Sequence, residues 1–157
     1  MILRLGLNEL RDNLWIIYEN ACAGYLKDPV SARNDYIHVL LDPSPESSAE
    51  FFNRNAVRFL SPEECIYCFK LLEMQKFGMF MFTSCAWFFS DISGIEAIQN
   101  LRYAARAMEL AREVSGIDLV PSFLGWLEKA QSNKPEEGSG RDIYIRHVKN
   151  GFVPAEN

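Results

Sequence analysis

The stretch SPEECIYCFKLLEMQKFGMFMF, residues 61–82, decides the fold. Ser61 can cap a helix, Pro62 fits its first turn, and Glu64 can reach back to the amide of the cap residue. These signals and the helical spacing of the polar side chains that follow predict a long helix over 62–82. Toward the C-terminal end of this predicted helix, at residues 77–82, no polar side chain occurs on any face. That loss indicates a helix end that is buried on all sides or faces another chain.

A second long helix is predicted over 93–114. Ser93-Gly94-Ile95-Glu96 forms another capping box, and Gly116 follows as a residue suited to the left-handed end of a helix. Small side chains on this helix allow a neighbouring helix to approach closely. They are Ala97, Ala104, Ala105 and Ala111.

Shorter helical segments surround these two helices. Apolar spacing, together with Pro and Gly breaks, predicts them at 7–26, 30–41, 46–58, 121–131 and 141–150. The sequence shows no alternating strand pattern of useful length and no internal repeat. We therefore predict one all-α domain over 1–157, a bundle of about six or seven helices with the two long helices 62–82 and 93–114 at its centre.

Composition excludes several classes of protein. The chain has 157 residues, 48% hydrophobic and 24% charged, as in an ordinary globular domain. Its net charge of -5 argues against a nucleic-acid partner, because phosphate binding requires a basic surface. No apolar run reaches the roughly 18 residues that a membrane span requires. The N-terminal residues lack a signal-peptide pattern, so we expect a cytoplasmic protein with reduced thiols.

The cysteine and histidine residues predict neither a cofactor nor a metal site. Cys65 and Cys68 form a Cys-x-x-Cys pair inside a predicted helix, whereas a redox motif places its first Cys at a helix N-terminus after a strand. A zinc site needs four ligands, and no spacing supports Cys22 or Cys85 as the others. Burial in the helix packing is the expected role of these thiols. The two histidines, His38 and His147, are predicted to be structural.

The segment TSCAWFFSD, residues 83–91, is unusual because it joins two helices yet contains three consecutive aromatic residues. One interpretation is a buried crossover, with the rings filling the bundle. The other is a binding platform, since sugars pack their C–H faces on aromatic rings and direct their O–H groups to hydroxyls and carboxylates. On the second interpretation the substrate-binding residues are Thr83, Ser84, Trp87, Phe89, Asp91 and Glu96.

Carboxylates lie close to this segment in the sequence, namely Glu73, Asp91 and Glu96. A glycosidase needs two carboxylates held at a fixed separation across a sugar. Proximity in sequence does not establish such a separation, so we predict no catalytic residue.

Several segments of the chain together carry a resemblance. They are KDP at 27–29 with AR at 32–33 and DYI at 35–37, LLEMQ at 71–75, TSCAWFFSDISGIE at 83–96, YAARA at 103–107, and GRDIY at 140–144 with SN at 132–133 and Pro135. From about Leu10 to Val153 the chain resembles a bacterial domain of unknown function. That domain is found behind the catalytic domain of proteins related to glycoside hydrolase family 57.

The resemblance implies an all-helical C-terminal module that packs beside a β/α barrel of the α-amylase and branching-enzyme type. The barrel, which this chain lacks, would carry the catalytic Glu and Asp. The implied function is a non-catalytic accessory domain that helps to wall or bind an α-glucan, with the segment around Trp87 at the substrate-facing edge. Two positions depart from the family pattern, since Ala86 replaces a Gly and Ser90 replaces an acid. The alternative is a structural or interaction module that packs against another chain or domain.

Overall fold

The computed structural model describes residues 2–82, 95–130 and 135–149, and within these ranges the chain is an all-α bundle. The described residues form no strand; one isolated antiparallel bridge joins Leu26 to Ala56. The helices are α1 Ile2–Cys22, α2 Pro29–Leu41, α3 Pro45–Asn55, α4 Pro62–Phe80, α5 Ile95–Ser115, α6 Val120–Lys129 and α7 Gly140–Ile143. A 3-10 turn at Pro135–Glu137 precedes α7, and a π-helix at Tyr144–Lys149 continues it.

The predicted start of α4 is confirmed. The Glu64 amide donates to Ser61 Oγ at 3.2 Å, and the Ser61 amide donates to Glu64 Oε1 at 2.9 Å, so the capping box is complete. Gly116 has a φ of 76°, which is the left-handed conformation predicted after α5. Ser93, the predicted cap of α5, lies outside the described residues.

Other predicted boundaries were wrong by several residues. α1 begins five residues earlier than expected and ends at Cys22, because Gly24 turns the chain with a φ of 87°. α3 ends at Asn55, since the chain then pairs with the segment after α1: Lys27 N donates to the Asn55 carbonyl at 2.8 Å, and Val57 N to the Tyr25 carbonyl at 2.9 Å. The single helix predicted at 141–150 is the short α7 followed by the π-helix.

The two long helices predicted at the centre of the bundle are confirmed there, and α1 packs beside them as a third long helix. The most extensive contact is between α4 and α5. Of the small side chains predicted on α5, Ala97, Ala104 and Ala111 are buried and Ala105 is partly buried. α1 packs against α4, α5 and α6 together. It is as long as α5, and one face of it is fully buried along its length. The extent of α1 was underestimated because the sequence has no capping motif at the start of this helix.

Close packing of α1 on α6 depends on a glycine. A Cβ atom on the buried Gly6 would lie 2.8 Å from Cβ of Trp126, which is closer than two such atoms can approach. The hydroxyl of Ser122 also donates to Glu9 Oε1 at 3.0 Å across this contact. The two helices are therefore held at short range at this end of the bundle.

The helices α2 and α3 form a hairpin beside the bundle. Asp28 and Ser44 cap the two helices by accepting hydrogen bonds from backbone amides. The rings of Tyr36, Phe51 and Phe69 meet with centroids about 6 Å apart, which ties the hairpin to α4. None of the helices in the described part of the chain combines the length and hydrophobicity needed to cross a membrane.

Candidate functional site

The residues predicted to contact a sugar are not described by the structure. Thr83, Ser84, Trp87, Phe89 and Asp91 lie outside the described residues. Glu96 lies in the first turn of α5, but its side chain is also outside the description. The segment at 83–91 therefore stays a prediction, and a site has to be sought in the rest of the chain.

A groove of about 650 Å³ lies where α1, α2 and the C-terminal end of α4 meet. We call it the Trp15 groove. Its lining is mostly apolar and consists of Arg11, Asp12, Leu14, Trp15, Ile16, Arg33, Gln75, Gly78, Met79 and Phe82. A cavity of this size with a few polar groups is typical of small-ligand sites.

Helical spacing explains why these side chains share one groove. On α4, Gln75, Gly78 and Met79 recur at three- and four-residue intervals, and Phe82 continues that face beyond the helix. Gly78 is buried, and a Cβ atom there would lie 3.2 Å from Cδ1 of Leu14. The glycine thus brings α1 close to α4 below the groove.

This part of the structure corrects one sequence prediction. The apolar end of α4 was expected to be buried on all sides or to face another chain. Gly78 and Met81 are buried, but Met79 and Phe80 are exposed, so burial on all sides is wrong. Met79 lies 60% exposed in the lining of the groove, where a ligand could cover it.

Arginine guanidinium groups lie over two aromatic rings of the groove. The guanidinium carbon of Arg33 lies 5.1 Å from the centre of the Trp15 ring, and that of Arg11 lies 5.6 Å from the centre of the Phe82 ring. Trp15 also meets Tyr18, with ring centroids 5.3 Å apart. These contacts place both guanidinium groups at the edge of the cavity.

Polar groups at the groove differ in how firmly they are held. Gln75 is only 7% exposed, and its Nε2 donates to the carbonyl of Leu14 at 3.2 Å, so its amide is fixed in the wall. Arg11 pairs with the adjacent Asp12 at 3.2 Å, and both side chains are more than half exposed. Arg33 has no carboxylate partner among the residues that the structure describes. Among the described residues, the groove is thus lined by two cations and one anion, in a chain of net charge -5.

The candidate carboxylate Glu73 is engaged in a structural network. Its Oε2 accepts a 2.6 Å hydrogen bond from the hydroxyl of Tyr36, and its Oε1 lies 2.8 Å from Nζ of Lys76. Burial and the hydrogen bond to Glu73 raise the pKa of Tyr36 above its ordinary value. Glu73 therefore joins α2 to α4, and it does not line the Trp15 groove.

The thiols of the described cysteines are weak nucleophiles. Burial raises the pKa of Cys22 to about 11 and the pKa of Cys68 to about 12. Burial also raises the pKa of Cys65, which is only partly buried. Burial in the helix packing is thus confirmed for Cys22 and Cys68, while Cys85 lies outside the described residues.

A second, polar cavity of about 450 Å³ lies between α2 and α3. Its side chains are joined by surface ion pairs, because Arg54 Nε lies 2.9 Å from Asp35 Oδ2 and His38 Nε2 lies 3.8 Å from Asp35 Oδ1. The hydrogen bond from Arg54 lowers the pKa of Asp35. His38 is largely exposed, and the described residues contain no cluster of three or more groups able to hold a metal ion.

Sequence reasoning missed the Trp15 groove because three separate helices build it. No local motif joins Trp15 to Arg33 or Gln75. One signal was available, since Arg33 and Gln75 both fall in segments that carry the family resemblance. Neither residue was then connected with a site, because their common location depends on the tertiary structure.

The fold and the groove define the chain as an all-α bundle with an open, mostly apolar cavity that has a cationic rim. A family model described as a domain of unknown function, DUF3536, matches residues 2–157, and the chain belongs to this family. No curated protein matches the chain, and no solved structure matches it. The family is thus shown, whereas its link to glycoside hydrolase family 57 rests on the resemblance described above.

Proposed function

We propose that the chain is a non-catalytic helical binding module and that its ligand, an α-glucan, lies in the Trp15 groove. One observation carries this proposal: the groove combines a large apolar lining and a half-buried tryptophan with a fixed amide and with carboxylate and guanidinium groups at its rim. Sugars require this mixture, because their rings have apolar C–H faces and a rim of hydroxyl groups.

In this proposal, different side chains of the groove contact different parts of the sugar. The exposed side chains of Ile16 and Met79 provide apolar surface for the faces of the sugar rings. Asp12 accepts hydrogen bonds from sugar hydroxyls, and Gln75 presents an amide that its bond to Leu14 already holds in place. A preorganised group loses less entropy when a ligand binds.

The groove reaches Phe82, the residue directly before the aromatic segment 83–91. We retain the prediction that the same ligand contacts the residues Thr83, Ser84, Trp87, Phe89, Asp91 and Glu96. This prediction rests on the sequence and the family resemblance alone.

Calorimetric titration of the full chain with maltohexaose tests the proposal. We expect saturable binding that weakens about tenfold or more in Trp15→Ala, since part of the apolar wall of the groove and the support of Arg33 are lost. Trp126→Ala is the matched control, because Trp126 is also half-buried on a helix and has a cation, Lys129, over its ring. Equal weakening in both variants, or no binding by the parent chain, would contradict the proposal.

A second pair of variants removes the concern that a tryptophan substitution unfolds the chain. Met79 and Ile66 both lie on α4, with exposed fractions of 60% and 57%, but only Met79 lines the groove. Met79→Ala should weaken maltohexaose binding, and Ile66→Ala should not. Thermal unfolding of both proteins should stay close to that of the parent, because neither side chain is buried.

We also propose a catalytic β/α barrel, in the same or a separate chain, as the partner of this module. Supporting this idea, Phe59 is 93% exposed in the turn before α4, and such an aromatic side chain suits the centre of a protein interface. In size-exclusion chromatography with a purified family 57 barrel, the parent chain should co-elute with the barrel and Phe59→Ser should not. Ile117→Ser, at another exposed apolar residue, is the control. Co-elution without maltohexaose binding would favour the alternative, an interaction module.

A further inference from the structure

The charge of the Trp15 groove restricts its ligand further. Arg33 lines the groove and lies on the Trp15 ring, and no carboxylate among the described residues pairs with it. Arg11, the other cation of the rim, has only its neighbour Asp12 as an acidic partner in the same part of the chain. Among the residues that the structure describes, the groove thus has one more positive than negative side chain, in a chain of net charge -5.

The position of Arg33 suits recognition of an oxyanion. A guanidinium group is planar and weakly hydrated, and it can donate two parallel hydrogen bonds to a carboxylate or a phosphate. The half-buried Arg33 is already oriented by its contact with Trp15, so less side-chain entropy is lost when an anion binds. A neutral sugar can accept a hydrogen bond from this guanidinium, but only an anion also neutralises its charge.

We propose that the Trp15 groove binds a sugar that carries an anionic group, a phosphate or a carboxylate, with Arg33 as the contact of the anion. The apolar lining takes the sugar ring, and the guanidinium takes the oxyanion. This inference rests on the proposed function, because it specifies the class of sugar that the same groove binds.

Four probes separate the contributions of ring and charge: maltose, maltobionate, maltose 6'-phosphate and inorganic phosphate. Each is titrated into the full chain at low ionic strength. We expect maltobionate or maltose 6'-phosphate to bind about tenfold more tightly than maltose. A gain of this size is expected from one charge-assisted hydrogen bond at a partly exposed site. The more tightly bound of the two identifies the source of the anion. Inorganic phosphate should bind more weakly than either, because it leaves the apolar lining empty.

Arg33→Gln and Arg4→Gln form the matched pair of variants. Both remove one positive charge, but Arg4 is an exposed residue of α1 outside the groove. Arg33→Gln should reduce the preference for the charged sugar to about twofold or less, while Arg4→Gln should retain it. Added salt should reduce the preference in the parent chain as well, since ionic strength screens exposed charges.

The outcomes distinguish this inference from the proposed function. Equal binding of maltose and both charged sugars overturns the inference and leaves the sugar-binding module standing. Binding of the charged sugars alone supports the inference and restricts the α-glucan of the proposed function to one that carries an anionic group. Binding of inorganic phosphate as tight as that of the charged sugars overturns the inference, and absence of binding by all four probes overturns both proposals.

Discussion

The hydroxyl of Tyr36 on α2 donates a 2.6 Å hydrogen bond to Oε2 of Glu73 on α4. Lys76 approaches the other oxygen of the same carboxylate at 2.8 Å. Tyr36 is buried among aromatic rings of α3 and α4, so this bond fixes the hairpin of α2 and α3 at one position along α4. Arg33, three residues earlier on α2, is thereby held at the Trp15 groove.

Replacement of Tyr36 by Phe should destabilise the folded chain without creating a cavity in the core. The ring is retained, but Glu73 loses its donor, and a hydrogen bond to a charged group contributes about 1.5–3 kcal/mol. We expect a decrease of that order in the free energy of unfolding, measured by urea denaturation. Tyr25→Phe is the control, because the structure gives the Tyr25 hydroxyl no hydrogen bond to a described residue. Equal destabilisation by both substitutions would contradict the role assigned to Glu73.

Glu64, which pairs with Arg58 and completes the capping box of α4, should make the stability of the fold depend on pH in the acidic range. The hydrogen bond from Arg58, followed by that from the Ser61 backbone, lowers the pKa of Glu64 from 4.5 to about 2. A carboxyl group with a lowered folded-state pKa stabilises the fold above its unfolded value, and this contribution is lost as pH falls from about 4.5 to about 2.

Glu64→Gln should therefore be less stable than the parent at pH 6, and the difference should shrink as the pH approaches 2. Chemical denaturation at a series of pH values measures this difference. Glu63→Gln is the control, since Glu63 shares the first turn of α4 but makes no capping contact. A difference that stays constant from pH 6 to pH 2 would show that the charge of Glu64 has no part in the cap.

Thiol reactivity should follow burial. In a Cys85→Ser background at pH 8, an aromatic disulfide reagent should modify Cys65 first, because Cys65 is the only partly exposed one of the three remaining thiols. Cys22 and Cys68, with pKa values raised to about 11 and about 12, should react only when the chain opens. Peptide mapping by mass spectrometry identifies the modified residue. Modification of Cys68 before Cys65 in the native protein would contradict the packing of α4.

Two glycines on facing helices should respond to alanine in opposite directions. Gly6→Ala places a Cβ atom 2.8 Å from Cβ of Trp126, and such overpacking costs about 1–3 kcal/mol. Gly125→Ala, within α6, meets no atom within 4 Å and should stabilise the chain by about 0.5–1 kcal/mol. Thermal unfolding of the two variants gives the sign of each effect. Stabilisation by Gly6→Ala would mean that α1 and α6 are farther apart than the structure places them.

Local signals in the sequence predicted the parts of the fold that local chemistry controls. The capping box at Ser61 and the left-handed Gly116 were predicted because each acts within a few residues. The start of α1 was missed because no cap marks it. There, burial of Leu3 in the core, which depends on the tertiary structure, extends the helix.

The candidate site was less predictable than the fold. Arg33 and Trp15 lie on different helices, and their contact depends on how α2 packs beside α1. The aromatic segment at 83–91 attracted attention because its composition is unusual for a loop, and composition can be read without a structure. The groove contains ordinary helical residues, which become a site only through the arrangement of three helices.

The contact between α1 and α6 has a consequence for synthesis of the chain. Glu9 and Ser122, which are hydrogen-bonded in the folded protein, lie 113 positions apart in the sequence. At translation rates of about 5–20 residues per second, α1 leaves the ribosome on the order of ten seconds before α6 exists. During that interval the apolar face of α1 has no complete partner. The nascent chain thus passes through a stage in which a chaperone that binds apolar helices would protect it from aggregation.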